Sequence, residues 1–393
     1  MSGRRRVLLA WEQGRGFGHT TQLAQLGRRL RAAGAEVAAA VRFTELSRPL
    51  VEAGIRLIQA PVWPDPAPRP GDALPASATL TDTLARLGLR DPDGVATVLR
   101  GWRAILDAER PDLMVCDYSP LAAVAARGRC RIMQAGTAYC LPPSNLAEMP
   151  LQHDFAPPRH TDAEVMGALN TALAGEGMAP LERIGALFAG DDVFVRTFPL
   201  IDPYADLRTR DAEGPVLAAP IGPAREDART VFAYLHPEVA GRADVLAALV
   251  ALGPALEIHV PRAGSLITGP LATAGARVHE RPVAIGAALA GSRLVLHQGS
   301  AGIASEALLA GVPQFTLSLH VEHYLNAEAL AAAGVSRHVP LFDPAARLAG
   351  ESLRAMYADE DALMLARAAG EMHRALMTPD PLEVLTARTL ALL

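Results

Sequence analysis

A polar loop between two apolar segments is the part of this 393-residue sequence best suited to chemistry. It lies within residues 293–313, where a short apolar run ends at His297 and a helix-like pattern begins a few positions later. The four residues that lead into the helix are small: Gly299, Ser300, Ala301 and Gly302. Such a helix start presents unpaired backbone N–H groups at the positive end of the helix dipole. The segment therefore predicts a strand, a tight loop and a helix whose N-terminus binds phosphate.

The basic residues limit how phosphate can be bound. The sequence contains no lysine, so all 37 basic residues are arginines. This excludes a Schiff-base lysine, and with it the usual form of pyridoxal phosphate chemistry. It also excludes a P-loop, which needs Gly-Lys-Ser/Thr. Phosphate must therefore be met by backbone N–H groups, histidine, serine or arginine.

Length and composition indicate a globular protein of two domains. The chain is too long for one ordinary core and fits two domains of about 200 residues. A net charge of −5 gives no reason to expect nucleic acid or an anionic membrane. Cys116, Cys130 and Cys140 form no Cys-x-x-Cys pair, which argues against a disulfide framework or a thiolate metal site. No apolar stretch is long enough for a signal peptide or a membrane span, so we expect a cytoplasmic protein.

The amino-terminal segment predicts a β-loop-α-β unit. Residues 6–11 form an apolar run, and a loop with glycine at every second position follows and ends at His19. Leucines at helical spacing and a second apolar run, 37–41, complete the unit. The glycine loop alone is weak evidence for NAD, because Arg42 stands where an acidic ribose partner would close the second strand.

The phosphate segment also carries a family pattern over about thirty positions. A His-x-Gly opens the loop at His297, a glutamate, Glu306, lies in the helix, and Gly-Val-Pro closes it at 311–313. Asn-Ala follows at 326–327. This pattern resembles the donor-binding signature of nucleotide-sugar glycosyltransferases with the GT-B fold, especially the UDP-glycosyltransferase family. The sequence departs from it where plant enzymes carry Trp-Asn and Asp-Gln.

The resemblance implies a set of donor-binding residues. It places His297 and the four small loop residues, Gly299 to Gly302, at the donor phosphates, and Glu306 at the ribose hydroxyls. Arg281 and Val283 occupy the place of a segment that meets the base. Glu322 and His323 stand in place of Asp-Gln, where relatives bind the donor sugar.

The resemblance further implies a catalytic pair. Gly18-His19 matches the family's general base, and Asp117 matches the aspartate that pairs with it. Two simpler interpretations remain: His19 as an ordinary residue of a helix start, and Asp117 as a cap or turn residue before Ser119-Pro120. Trp63, Thr137 and Tyr139 are candidates for contacts with the acceptor. Trp63 lies in a Pro-rich connection, which could equally be a plain surface loop.

Two acidic or histidine groups were weighed as metal sites. Asp191-Asp192 precedes a strand and is better explained by a turn. His320, Glu322 and His323 lack the His-x-x-x-His spacing that places two imidazoles on one helical face. We expect no metal and no cofactor beyond the nucleotide-sugar co-substrate.

These observations predict an α/β protein of GT-B type, with two Rossmann-like, doubly wound domains facing across a cleft. The amino-terminal, acceptor-side domain is expected at 1–205, a linker at 206–225, and the nucleotide-sugar-binding domain at 226–378. Residues 379–393 are expected to form a helix that returns to the first domain.

The expected function is metal-independent, inverting transfer of a sugar from a nucleotide diphosphate donor. UDP is the expected nucleotide, and the acceptor is a small molecule or a lipid-linked sugar. A UDP-sugar 2-epimerase and a non-catalytic nucleotide-sugar-binding protein are the alternatives.

Overall fold

The computed structural model describes residues 5–14, 16–64, 77–343 and 345–393. Within these ranges the chain forms two compact units. The first consists of the described parts of Met1–Ala218 together with Pro379–Leu393, and the second is Ala219–Thr378. The boundary falls inside the segment 206–225.

The first unit is built on a parallel sheet with six strands in its described part, in the order β3-β2-β1-β4-β5-β6. In chain order these are β1 Arg6–Trp11, β2 Glu36–Val41, β3 Arg56–Gln59, β4 Leu113–Asp117, β5 Arg131–Gly136 and β6 Asp192–Val195. The α-helices of this unit are α1 Phe17–Ala32, α2 Arg48–Glu52, α3 Leu80–Leu84, α4 Pro92–Glu109, α5 Pro120–Ala126, α6 Asp162–Gly175 and, at the end of the chain, α15 Pro381–Ala391. The strand order is that of a doubly wound sheet.

The strand order places the chemistry of the first unit. Strand β1 is apolar and buried along 7–11, as expected of a central parallel strand covered on both faces. It pairs with β2 on one side and β4 on the other, so the order reverses beside it. Trp11 at the end of β1 lies in register with Asp117 at the end of β4. Ligands of such sheets bind at this edge, at the point of reversal.

The second unit repeats the arrangement, with the described strands in the order β12-β11-β10-β7-β8-β9. These are β7 Thr230–Tyr234, β8 Leu256–His259, β9 Arg277–His279, β10 Ser292–His297, β11 Gln314–Ser318 and β12 Ser336–Pro340. The α-helices are α7 Pro237–Ala240, α8 Ala243–Val250, α9 Ser265–Thr273, α10 Ile285–Ala290, α11 Ala301–Ala310, α12 Val321–Ala332, α13 Gly350–Ala358 and α14 Glu360–Ala375. The order reverses between β7 and β10, and the loop that follows β10 is the one predicted to bind phosphate.

The carboxy-terminal helix α15 is fixed to the first unit by charge and by apolar packing. Arg388 donates to Asp192 and Glu213, and Leu382 and Leu385 pack into the core beneath β1 and β2. Among the described residues, no helix is long and apolar enough to cross a membrane.

The prediction of two doubly wound α/β domains is confirmed, with local differences. The sequence pattern predicts a helix over residues 180–188, but only a short 3₁₀ segment, Ile184–Phe188, forms there. The sequence pattern predicts a helix from 327, but α12 begins six residues earlier, because residues 321–326 already form its first turns. Residues 65–75 of the predicted Pro-rich connection lie outside the described residues.

Candidate functional site

His19 and Asp117 form a hydrogen-bonded pair in the first unit. His19 lies in the first turn of α1, and Asp117 ends β4. The distance from His19 Nδ1 to Asp117 Oδ2 is 3.0 Å, and the side chains are 17% and 0% exposed. A carboxylate only accepts, so Nδ1 carries the proton and Nε2 keeps its lone pair. The pair therefore has the geometry of an oriented general base.

Two residues of the preceding loop and strand hold the imidazole in place. The Trp11 ring is stacked on it with centroids 5.2 Å apart. Gly14 has φ +78°, and a methyl group on it would lie 2.6 Å from His19 Nε2. Any side chain at Gly14 would therefore collide with the nitrogen that has to accept a proton. The sequence indicated a glycine loop here but gave no sign of the contact.

Arg196 is a third member of the group that sequence reasoning missed. It follows β6, is 3% exposed, and places Nη2 2.7 Å from Asp117 Oδ1. The contact is an ion pair between two buried groups. Burial alone would raise the pKa of Asp117, but the charges of Arg196 and His19 outweigh it and lower that pKa below its ordinary value. The only sequence feature that marks Arg196 is its position at the end of a predicted strand.

Trp63, predicted to contact the acceptor, is a core residue in the structure. It is 2% exposed and lies at the buried carboxyl of Glu12. Glu12 accepts from Trp102 Nε1 and from the Leu121 amide. Burial raises the pKa of Glu12 to about 7, against the effect of these donors. The correction follows from burial, because a fully packed indole has no surface left for a ligand.

Thr137 and Tyr139 lie in the loop after β5, at the same edge of the sheet as Asp117. Thr137 is half-buried. Tyr139 is 7% exposed, and its hydroxyl lies 3.3 Å from Thr83 Oγ1. Thr137 is thus the more accessible of the two acceptor candidates.

His297, in the second unit, is an anchor of the loop rather than a phosphate ligand. It is fully buried, its Nδ1 accepts from the Gly299 amide at 3.0 Å, and its Nε2 lies 2.8 Å from Gln314 Oε1. Burial lowers its pKa to about 4, so the ring is neutral near pH 7. Because both ring nitrogens bind protein, neither of them is free to contact a phosphate in this structure.

The small residues after His297 form the predicted helix start. Ser300 is the N-cap of α11, and its hydroxyl makes no capping bond. The amides of Ala301, Gly302 and Ile303 make no hydrogen bond within the described part of the chain. Gly302 is exposed. A ten-residue helix thus offers three unpaired donors at its positive end, as the sequence predicted.

The loop shape depends on residues that the sequence did not identify. Gly299 has φ +95°, and a methyl group on it would lie 2.6 Å from the His323 carbonyl oxygen. Asn326 Nδ2 donates to the Gly299 carbonyl at 2.9 Å. Asn326 and Gln314 therefore fix the turn from two neighbouring elements.

Glu306 lies on α11, one and a half turns after the helix start. Burial raises the pKa of its carboxyl to about 7. Its neighbour Tyr234 lies at the end of β7. Burial raises the pKa of the Tyr234 phenol, and the charge of Glu306 raises it further. The ribose contact of Glu306 stays a prediction.

The other predicted donor residues lie on two separate segments. Glu322 and His323 are half-buried in the first turn of α12, with the His323 and His320 rings 3.7 Å apart. Burial, together with His320 and His297, lowers the pKa of His323 well below its ordinary value. Arg281 is exposed and Val283 is half-buried against the cluster around Phe232.

The two acidic residues Asp191 and Asp192 have arginine partners rather than a metal. Asp191 pairs with Arg131, and Asp192 pairs with Arg388. No group of three or more His, Cys, Asp or Glu side chains arranged to hold a metal ion occurs in the described ranges.

Comparison with known proteins bears on the fold. No protein-family model matches the sequence, and no curated protein matches it. Solved structures do: CalG4, the calicheamicin glycosyltransferase, is 18% identical with a TM-score of 0.70, and the match covers 99% of this chain and 98% of that one. The spinosyn rhamnosyltransferase SpnG is 20% identical in its complexes with spinosyn aglycone and with thymidine diphosphate. Their TM-scores are 0.66 and 0.65, and each match covers 98% of this chain and 100% of that one. The chain therefore has the GT-B fold of these proteins.

Proposed function

We propose that this chain is an inverting glycosyltransferase that moves a sugar from a nucleoside diphosphate to a hydroxyl group of a small molecule, without a metal ion. The fold supports this proposal, because all three structures named above are glycosyltransferases. A fold alone does not define an activity, so the proposal rests on two groups of residues, the His19–Asp117 pair and the start of α11.

The observation that carries the proposal is the His19–Asp117 pair. His19 Nε2 takes the proton of the acceptor hydroxyl while the oxygen attacks the anomeric carbon. Asp117, 3.0 Å from Nδ1, holds the ring in the required tautomer and stabilises the imidazolium that forms. Conversion of the donor to its epimer, instead of transfer to an acceptor, would indicate the alternative UDP-sugar epimerase.

The start of α11 supplies hydrogen-bond donors for the nucleoside diphosphate that leaves. As the bond from the anomeric carbon to the diphosphate breaks, its electron pair stays on the β-phosphate oxygen. The unpaired amides of Ala301, Gly302 and Ile303 are donors suited to that charge, and the helix dipole adds to them. In this proposal the helix terminus takes the place that a divalent cation has in other phosphoryl chemistry.

The nucleotide is expected to be a pyrimidine nucleoside diphosphate. The sequence resemblance favours UDP, whereas the thymidine diphosphate complex of SpnG supports a thymidine nucleotide. Glu306 is our candidate for the ribose, and Glu322 and His323 for the sugar. The aglycone complex of SpnG supports a small-molecule acceptor over a lipid-linked one.

Thermal denaturation with nucleotides tests the donor site. A ligand present at a hundred times its Kd stabilises by about 2.7 kcal/mol. We expect UDP or TDP to raise the melting temperature and expect the nucleoside without phosphate to have little effect. A matched variant, Gly302→Pro, introduces a ring beside the exposed amide and removes that N–H, so it should abolish the shift. Equal shifts from nucleoside and diphosphate, or none from either, would contradict the phosphate site.

A further inference from the structure

We propose that Arg196 is a positioning residue that sets how tightly the His19–Asp117 pair holds a proton. The inference rests on the proposed role of His19 as a base, but it concerns a residue that neither the sequence pattern nor the comparisons single out.

The first argument is geometry. Arg196 and Asp117 are both buried, and Nη2 lies 2.7 Å from Oδ1, while His19 Nδ1 lies 3.0 Å from Oδ2. Each carboxylate oxygen thus faces a different partner. The Arg196 amide donates to the Gly136 carbonyl at 2.8 Å, which fixes the backbone from which the guanidinium extends. Arg196 forms no other ion pair within the described part of the chain.

The second argument is charge. With His19 neutral, the carboxylate and the guanidinium cancel, so the group of three has no net charge. Without Arg196 the same group would carry one negative charge in a buried site, and it would bind a proton more readily. Arg196 therefore keeps the pair unprotonated at a pH where a bare histidine–aspartate pair would hold a proton. A general base must be unprotonated to act.

The surroundings of His19 contain few competing charges. Trp11 and Gly14, which contact the ring, are uncharged. Tyr118 follows Asp117, and Arg42 at the end of β2 donates to Gln13 Oε1 at 2.7 Å. Glu12 is turned to Trp102 and the Leu121 amide. Among these groups, Arg196 is the cation that contacts the partner of His19 directly.

The test is an NMR titration of the His19 imidazole, assigned by comparison with His19→Gln. Replacing Arg196 with methionine should raise the pH midpoint by on the order of one unit. Arg196→Lys keeps the charge, so its pH midpoint should stay closer to that of the wild type. Arg208→Met removes a similarly buried arginine whose partner is Asp202, and it should leave the midpoint unchanged. Arg196→Gln is the second variant if the methionine variant does not fold.

The titration needs no substrate, so it separates this inference from the proposed function. If the protein also transfers sugar, the acid limb of its kcat/KM profile should move to higher pH in Arg196→Met, with activity recovering above it. A purely structural role would lower kcat/KM at every pH and leave the limb in place. An unchanged or lowered midpoint in Arg196→Met, or in Arg196→Gln if the methionine variant does not fold, would overturn the inference, whatever the protein catalyses.

Discussion

At the scale of single residues, the candidate base depends on a carboxylate that is completely buried. Asp117 is stable as an anion there because two partners flank it, His19 on one oxygen and Arg196 on the other. A buried charge that loses its partner is costly, whereas a partly exposed one can turn to water. Replacing Asp117 should therefore cost more stability than replacing His19, although both residues belong to one group.

Asp117→Asn is expected to destabilise the protein more than His19→Gln does. The asparagine variant leaves the Arg196 guanidinium buried without an anion, which should lower the free energy of unfolding by about 3 kcal/mol. His19→Gln keeps the Asp117–Arg196 pair and changes a partly exposed position, so we expect a loss below about 1 kcal/mol. Urea denaturation of both variants measures the difference. Equal losses would mean that Arg196 does not depend on Asp117.

The family resemblance was enough to identify His19 and Asp117 as candidates, but not their surroundings. Strand ends predict which residues reach the same edge of a sheet. They do not predict that Trp11 would stack on the imidazole, or that Arg196, one of 37 basic residues, would be the one to reach Asp117. Those contacts depend on side-chain packing between strands that are far apart in the chain.

At the scale of elements, the loop after β10 is shaped by buried hydrogen bonds rather than by its own sequence. His297 joins the Gly299 amide to Gln314 on β11, and Asn326 on α12 holds the Gly299 carbonyl. The sequence predicted the strand, the glycine turn and the helix start. It assigned His297 to phosphate because burial and the presence of Gln314 opposite the ring cannot be read from spacing.

The His297 anchor should make stability depend on pH. Its pKa is about 4 when folded against an ordinary value of 6.5, so between these values the unfolded chain binds a proton that the folded chain does not. The stability that the neutral His297 contributes to the folded state is fully present above pH 6.5 and is lost as the pH falls toward 4. From pH 7 to 4.5 the loss is about 2 kcal/mol.

The measurement compares urea denaturation of the wild type and His297→Gln at both pH values. Glu12 and Glu306 have raised pKa values and act in the opposite sense, so the informative quantity is the difference between the two proteins. The variant should lose less stability on acidification than the wild type. The same loss in both proteins would show that His297 is not the buried neutral group described here.

At the scale of the whole molecule, one arrangement occurs twice. Each unit has a six-stranded parallel sheet in its described part. The His19–Asp117 pair in the first unit and the start of α11 in the second lie where the strand order reverses. Periodicity and glycine position predicted individual strands, loops and helix starts, because these depend on the backbone and on apolar patterning. The family resemblance predicted the two doubly wound domains. The identity of the nucleotide base, the sugar and the acceptor depends on side chains such as Arg281 and His323. The sequence does not specify what these side chains contact in a complex.

The division of labour between the two units leads to the central test. The proposal assigns proton removal to His19 in the first unit and binding of the diphosphate to α11 in the second. Loss of the base should therefore stop transfer without weakening donor binding. A pyrimidine nucleotide sugar that stabilises the protein is the donor for this test, and a panel of hydroxylated apolar molecules supplies the acceptor.

The most direct measurement is the rate of glycoside formation by the wild type and by His19→Gln, together with the Kd of each for the donor nucleotide. We predict a rate lower by about 10²- to 10⁴-fold in the variant with a Kd within about twofold of the wild type. Transfer by His19→Gln at the wild-type rate, or loss of nucleotide binding in parallel with activity, would contradict the account.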